Sequence, residues 1–383
     1  MQGPSSFVAG VVAMVVAGGC VADERVPADP GVATVTAAFS SGPCPPAGCS
    51  TNSPVIDTLV GFHDLSLVGD GSNGMATVPD DAGLAIVAAG EARRAQIVQG
   101  KQSYDLGILD GRIVGSCGPR CTPLEGQELV GATITLTYGL KPAYVITIET
   151  VRRLDFFLGG GATEAYTLTW TSLGGGPSSN VCNNVPLLEQ LLGDQAGDER
   201  YAAQELMGMQ PWETVVFEGD RIDETSKTMK KAADDTWFNV GCAGNLLAKL
   251  RLTRNTIHGQ SPGLPDAWEQ RQATMKMLAA DYCGTGAGLT VAGQWLVWKG
   301  DLMTDFYRRP GVLEARWTER GATCLYAPRM LYPTSQLGAA TFPDIRDAIR
   351  TACAAAGRRT PPRCATLDPD DYDGALRVSA NPK

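Results

Sequence analysis

Between Gly111 and Ser172 apolar and β-branched residues gather in short runs that predict strands: 111–114, 129–138, 143–151 and 165–172. In the second run Thr133, Thr135 and Thr137 interleave with Ile134, Leu136 and Tyr138. A period of two sends successive side chains to opposite faces of a pleated strand, so this run predicts a half-buried strand. Triple glycines at 159–161 and 174–176 fall between such runs and predict turns, and neither has the lysine and hydroxyl context of a phosphate-binding loop. Further along, the period lengthens. Segments 186–207 and 265–280 carry apolar residues three and four apart, each with a proline near its first turn, and predict helices. Segment 343–355 predicts another, with Thr341 available as its cap, while 215–217 and 293–297 predict further strands. The fold class that follows is α+β, β-rich toward the N-terminus and mixed helix and strand toward the C-terminus.

The two ends read differently. Phe7 to Val16 is an apolar stretch of signal-peptide length, too short to span a bilayer as a finished helix, and it runs into Ala17-Gly18-Gly19-Cys20. Small residues before a cysteine are what lipoprotein processing requires, which predicts a signal peptide over 1–19 and a lipid on Cys20. The alternative is plain secretion, cut after Ala22, because 1–6 holds no lysine or arginine and Ala17 stands where leucine is usual. Residues 20–54, rich in proline, glycine and alanine, predict an extended tether. A β-rich region over 55–185 and a mixed region over 186–366 follow, with an acidic, disordered tail over 367–383.

Charge and cysteine content narrow the chemistry. A net charge of −9 with no dense cationic run argues against nucleic acid and against direct attraction to anionic membranes, leaving a lipid anchor as the route to a bilayer. Only His63 and His258 are available as imidazoles, so histidine-based catalysis and zinc binding are poorly supplied. The 11 cysteines lack paired Cys-x-x-Cys spacing and nearby histidines, which favours disulfides in an oxidising compartment over metal. Setting Cys20 aside leaves an even number: Cys44, Cys49, Cys117, Cys121, Cys182, Cys242, Cys283, Cys324, Cys353 and Cys364. Proximity along the chain suggests 44–49, 117–121 and 353–364 as local bridges, with 182–242 and 283–324 as longer ones.

Ala280-Asp281-Tyr282-Cys283-Gly284, preceded by Met277 and followed by Gly286 and Thr290, resembles the signature of the ADYC-domain family of exported bacterial proteins. The resemblance runs on through Trp237 to Cys242 with Ala248-Lys249, Glu314-Ala315-Arg316-Trp317, Gly321 to Cys324, and Cys353 with Cys364, spanning 125–366. It implies a signal or lipoprotein peptide, and neither an activity nor a cofactor. Leu250 and Thr274 stand where family members usually carry cysteines, so the resemblance implies that one family bridge is absent here as a pair.

No catalytic residue and no metal site stand out. Asp281 and Tyr282 have the chemistry of an acid and a phenol, but a helix end crowded against a disulfide explains them as well, so Asp281→Asn is expected to cost little more than a capping bond. Asp70 to Gly74 and Asp368 to Gly374 resemble calcium loops but lack the completing carboxylates and read as acidic turns. Trp295 and Trp298, among the tryptophans of the family-like half, lie three apart. On a strand they face opposite sides, so one of them is a candidate contact for an envelope or extracellular ligand. A displayed binding or structural module is the preferred reading. The alternative is an envelope hydrolase working through paired carboxylates.

Overall fold

The computed structural model describes residues 64–67, 84–86, 88–89, 94–118, 121–138, 141–157, 160–182, 206–223, 226–230, 237–257, 268–290, 296–300, 311–329, 345–368, 371 and 373–382. Within these the protein is mostly β-sheet with three helices, which agrees with an α+β reading. Cys20, Cys44, Cys49, His63, His258 and Trp295, the 70–74 turn, the predicted tether and nearly all of the predicted 186–207 helix lie outside the described residues.

The larger sheet is built from β1 (Asp64–Ser66), β2 (Leu84–Ile86), β3 (Ala88–Ala89), β4 (Arg94–Gln99), β5 (Gln102–Leu109), β6 (Arg112–Ser116) and β7 (Leu124–Glu125). It continues through β8 (Thr133–Tyr138), β9 (Lys141–Asp155), β10 (Ala162–Ser172), β11 (Ser179–Asn180) and β12 (Glu213–Glu218). A hairpin of β13 (Arg221–Asp223) and β14 (Thr228–Lys230) precedes its last member, β15 (Trp237–Cys242). The pairings close a ring in the order β8, β9, β10, β12, β15, β1, β2 and back to β8. Only the β1–β2 pair in that ring is parallel. The strip β4–β5–β6–β7 branches from β8.

The alternation in β8 does what a period of two requires: Ile134 and Leu136 are buried while Thr133 and Thr135 are half-exposed. Apolar residues from both sides of the expected 185/186 boundary, including Ile148, Leu168, Val216 and Phe238, share one core. β12 and β15 complete the ring begun by β8 to β10, so this sheet draws strands from both sides of that boundary. Gly160 to Gly161 and Gly174 to Gly176 occupy the connections after β9 and β10, as turns.

The second sheet takes β16 (Val297–Gly300), β17 (Gly311–Thr318), β18 (Gly321–Leu325) and β19 (Arg377–Pro382), in the order β16-β19-β17-β18. Here the structure corrects the expected disordered tail: the chain end is an interior strand, paired with β16 on one side and β17 on the other. Of the predicted 293–297 strand only Leu296 and Val297 are described, and β16 starts at Val297.

Helix α1 (Leu246–Leu252) lies against β12 and β15, and the fit is close at Gly241, where a Cβ would come within 2.6 Å of the Ala248 backbone nitrogen. Helix α2 (Trp268–Ala279) is buried on all sides from Gln270 to Ala279, so its polar residues need internal partners. Arg271 makes a two-pronged pair with Asp220 at 2.6 and 3.0 Å, Gln272 accepts from Met229 N and donates to Lys227 O, and Arg377 donates to Thr274 Oγ1. Helix α3 (Ile345–Ala355) closes the C-terminal core through Ile349 and Cys353. No helix among the described residues is long and apolar enough to cross a membrane.

Candidate functional site

The signature begins where α2 ends. Ala280 takes a left-handed φ of 52°, Asp281 N donates to Lys276 O at 2.9 Å, and Ala280 N donates to Met277 O at 3.1 Å. These two bonds form a Schellman close, with alanine at the position glycine usually fills. The reversal puts Asp281 back over the helix end. Its carboxylate accepts from Lys276 Nζ at 2.6 Å, Thr285 N at 2.8 Å and Gly286 N at 2.8 Å, with neither charged side chain exposed by more than 1%. Burial pushes the Lys276 ammonium below its ordinary pKa, Asp281 pulls it back, and the like charge of Arg358 lowers it further.

Tyr282 is fully buried and donates its phenol hydrogen to Glu314 Oε1 at 2.6 Å, while its ring stacks on Trp317 with centroids 5.2 Å apart. Burial, reinforced by Glu314, holds the phenol well above its usual pKa. Glu314 is the hub of this cluster. Arg329 Nε donates to its Oε1 at 2.7 Å, and Ser379 Oγ donates to its Oε2 at 2.7 Å. Ser379 in turn accepts from Trp317 Nε1 at 2.8 Å, and Arg329 Nη2 donates to Met277 O at 2.7 Å. One carboxylate therefore ties the end of α2, strands β17 and β19, and the segment after β18. Cys283 bridges to Cys353 on α3, and Gly284, at φ 63°, lies so close to the turn between β17 and β18 that a Cβ would overlap the Arg320 carbonyl oxygen.

Each of the four signature side chains is thus committed to an internal contact. A model of the ADYC domain matches residues 126–331. The chain belongs to the ADYC-domain family. No curated protein and no solved structure matches it. The ADYC match ends before Cys353 and Cys364, yet both are bridged to cysteines inside it.

Two expected pairings are overturned. Cys283 joins Cys353 with Cα atoms 5.2 Å apart, and Cys324 joins Cys364 at 4.9 Å, in place of 283–324 and 353–364. The reason is the fold: α3 brings Cys353 against the signature loop, and the strand-like bridge of Arg363 to Leu325 sets Cys364 beside β18. Cys117–Cys121 and Cys182–Cys242 pair as expected. These four disulfides fit an oxidising, extracytoplasmic setting. Leu250 and Thr274 are both buried and linked through Asn255, whose backbone N–H donates to Leu250 O and whose Oδ1 accepts from Thr274 Oγ1.

Other expectations change too. Trp298 is fully buried in the ADYC core and cannot meet a ligand. Asp281 is more than a cap, because its loss would strand the buried Lys276 ammonium. In the 368–374 turn, the backbone oxygens of Asp368 and Asp371, with that of Thr366, accept from the buried Arg316 guanidinium. Among the described residues no group of three metal-ligating side chains comes together.

The sequence reading missed Arg329, Arg320, Arg358 and the role of Lys276. Beside the signature these last three, with Thr228, Trp268, Gln272, Gly284 and Glu319, line an open cleft of about 330 Å³. The one available signal was a charge inside an apolar run, as at Glu314 in Leu313-Glu314-Ala315, where a buried strand needs a partner for it.

Proposed function

We propose that the protein is an exported cell-envelope module that binds or builds rather than catalyses, anchored through a lipid on Cys20, with the ADYC signature as its internal brace. The observation that carries this reading is the burial of the signature: Asp281, Tyr282 and Cys283 all point inward, each with a protein partner. A group that acts on substrate has to reach it. The hydrolase alternative needs two carboxylates facing each other across a cleft. Instead the buried carboxylates Glu213, Asp220, Asp281 and Glu314 each face a cation, and the buried Glu218 accepts from the Gly111 amide.

The test has two parts. Mature protein immobilised on beads is expected to retain a component of envelope fractions, and labelled fatty acid is expected to enter the wild type but not Cys20→Ala. Hydrolysis of an envelope polymer that is abolished by Asp281→Asn in a folded protein would replace this reading with the enzymatic one. Absence of label in the wild type would replace the anchor with plain secretion.

A further inference from the structure

Resting on that reading, we infer that the cleft beside the signature binds an acidic saccharide, its oxyanion held between Arg320 and Arg358 and its ring laid against Trp268. Arg358 is positioned by the signature itself: Nη1 donates to Cys283 O at 2.9 Å and to Arg320 O at 3.3 Å. A side chain at Gly284 would come within 2.8 Å of that nitrogen, so the glycine leaves the room in which the guanidinium lies. Arg320 is 86% exposed and uses only Nε, on Glu319 at 3.0 Å. Among the described residues, then, Nε and Nη2 of Arg358 and both Nη atoms of Arg320 donate to no protein acceptor. Planar guanidinium forks of this kind suit a carboxylate or phosphate group.

The walls are already satisfied. Gln272 uses its amide on Met229 N and Lys227 O, Thr228 shares its hydroxyl with Ser226, and Lys276 is held by Asp281 and Ser226 O. Trp268 fixes its indole N–H on Met229 O at 3.0 Å and is only partly buried, so a rigid aromatic surface borders the cleft. An aromatic wall beside two guanidinium groups that keep donors to spare suits a ring that carries an acid, and the volume is near the small end of ligand pockets, room for one or two sugar units.

Calorimetric titration of the full mature protein tests this with trigalacturonic acid, a sugar phosphate and neutral maltotriose. Trigalacturonic acid or the sugar phosphate is expected to bind at least tenfold more tightly than maltotriose, the tighter of the two naming the oxyanion. Arg320→Gln and Arg358→Gln are each expected to weaken that binding about tenfold, while Arg346→Gln, lining a different cleft, leaves it unchanged. Arg320 is exposed, so its variant reports on binding even if Arg358→Gln unfolds. Equal affinity for acidic and neutral sugars, no binding of either acid, or full affinity in Arg320→Gln would overturn the assignment. Envelope capture that survives both arginine substitutions would overturn the cleft while sparing the binding-module reading. Turnover of a substrate would instead unseat that reading.

Discussion

Tyr282 Oη and Glu314 Oε1 stand 2.6 Å apart across 32 residues of sequence, and neither side chain is exposed. Tyr282→Phe leaves a buried carboxylate with one donor fewer and the Arg329 amide without its 3.3 Å acceptor, a loss of about 1–3 kcal/mol. Glu314→Gln breaks the buried pair with Arg329 and is expected to cost about 3–5 kcal/mol. The two losses share partners, so in chemical denaturation the double variant should lose less than their sum. Strict additivity would mean that the hub is not a unit.

The same phenol sets an alkaline limit. Tyr282 and Tyr166, both buried, have pKa values raised well above the ordinary 10.0. Above pH 10 the unfolded chain releases these protons and the folded one keeps them, so stability falls as pH rises, by up to about 1.4 kcal/mol per pH unit per tyrosine. Lys276, with its pKa lowered, acts in the opposite sense as pH climbs toward its unfolded value of 10.5. Comparing wild type with Tyr282→Phe isolates the phenol: the variant's melting temperature should fall less steeply above pH 10. Parallel slopes would count against the buried phenol.

Asp281→Asn leaves the Lys276 ammonium buried and unpaired, at an expected loss of about 3–5 kcal/mol. Adding Lys276→Met removes the stranded charge and should recover part of that loss. Thermal melts of the three variants decide it, and a single substitution without effect would show that the pair is not buried in solution.

Cys283→Ser opens a bridge spanning 70 residues, which by chain entropy contributes about 4 kcal/mol. Peptide mapping without reduction should yield 283–353 and 324–364 linked peptides. Recovery of 283–324 and 353–364 would contradict the packing of α3 on the signature loop.

Truncation after Gly374 removes β19 from between β16 and β17 and exposes the edges of both. Loss of soluble expression is expected, where a disordered tail would be dispensable.

What the chain disclosed in advance divides along one physical line. Strand β8 was legible because Thr133 and Thr135 mark its outer face against Ile134 and Leu136. Helix α2 was legible from its spacing and Pro265, but not the burial of Arg271 and Lys276, whose partners Asp220 and Asp281 become neighbours only in the fold. Strand β19 was hidden because Arg377 and Ser379 look like surface residues until Thr274 and Glu314 are beside them. Helix α1, with Lys249 and Arg251 in seven residues, was hidden for the same reason. The signature was visible as letters, while its use as a brace depends on contacts with residues 314, 329, 353 and 358.

The bridges 283–353 and 324–364 cross in sequence, and this bears on the order in which the chain can be oxidised. A polypeptide that enters an oxidising space N-terminus first presents Cys283 and Cys324 together before either true partner has arrived. Oxidation in order of emergence joins those two to each other and leaves Cys353 and Cys364 to close as neighbours. Reaching the crossed state from there takes thiolate attack through mixed disulfides. Maturation of this protein is therefore expected to depend on a disulfide-shuffling catalyst, or on Cys283 staying reduced until α3 has folded against it.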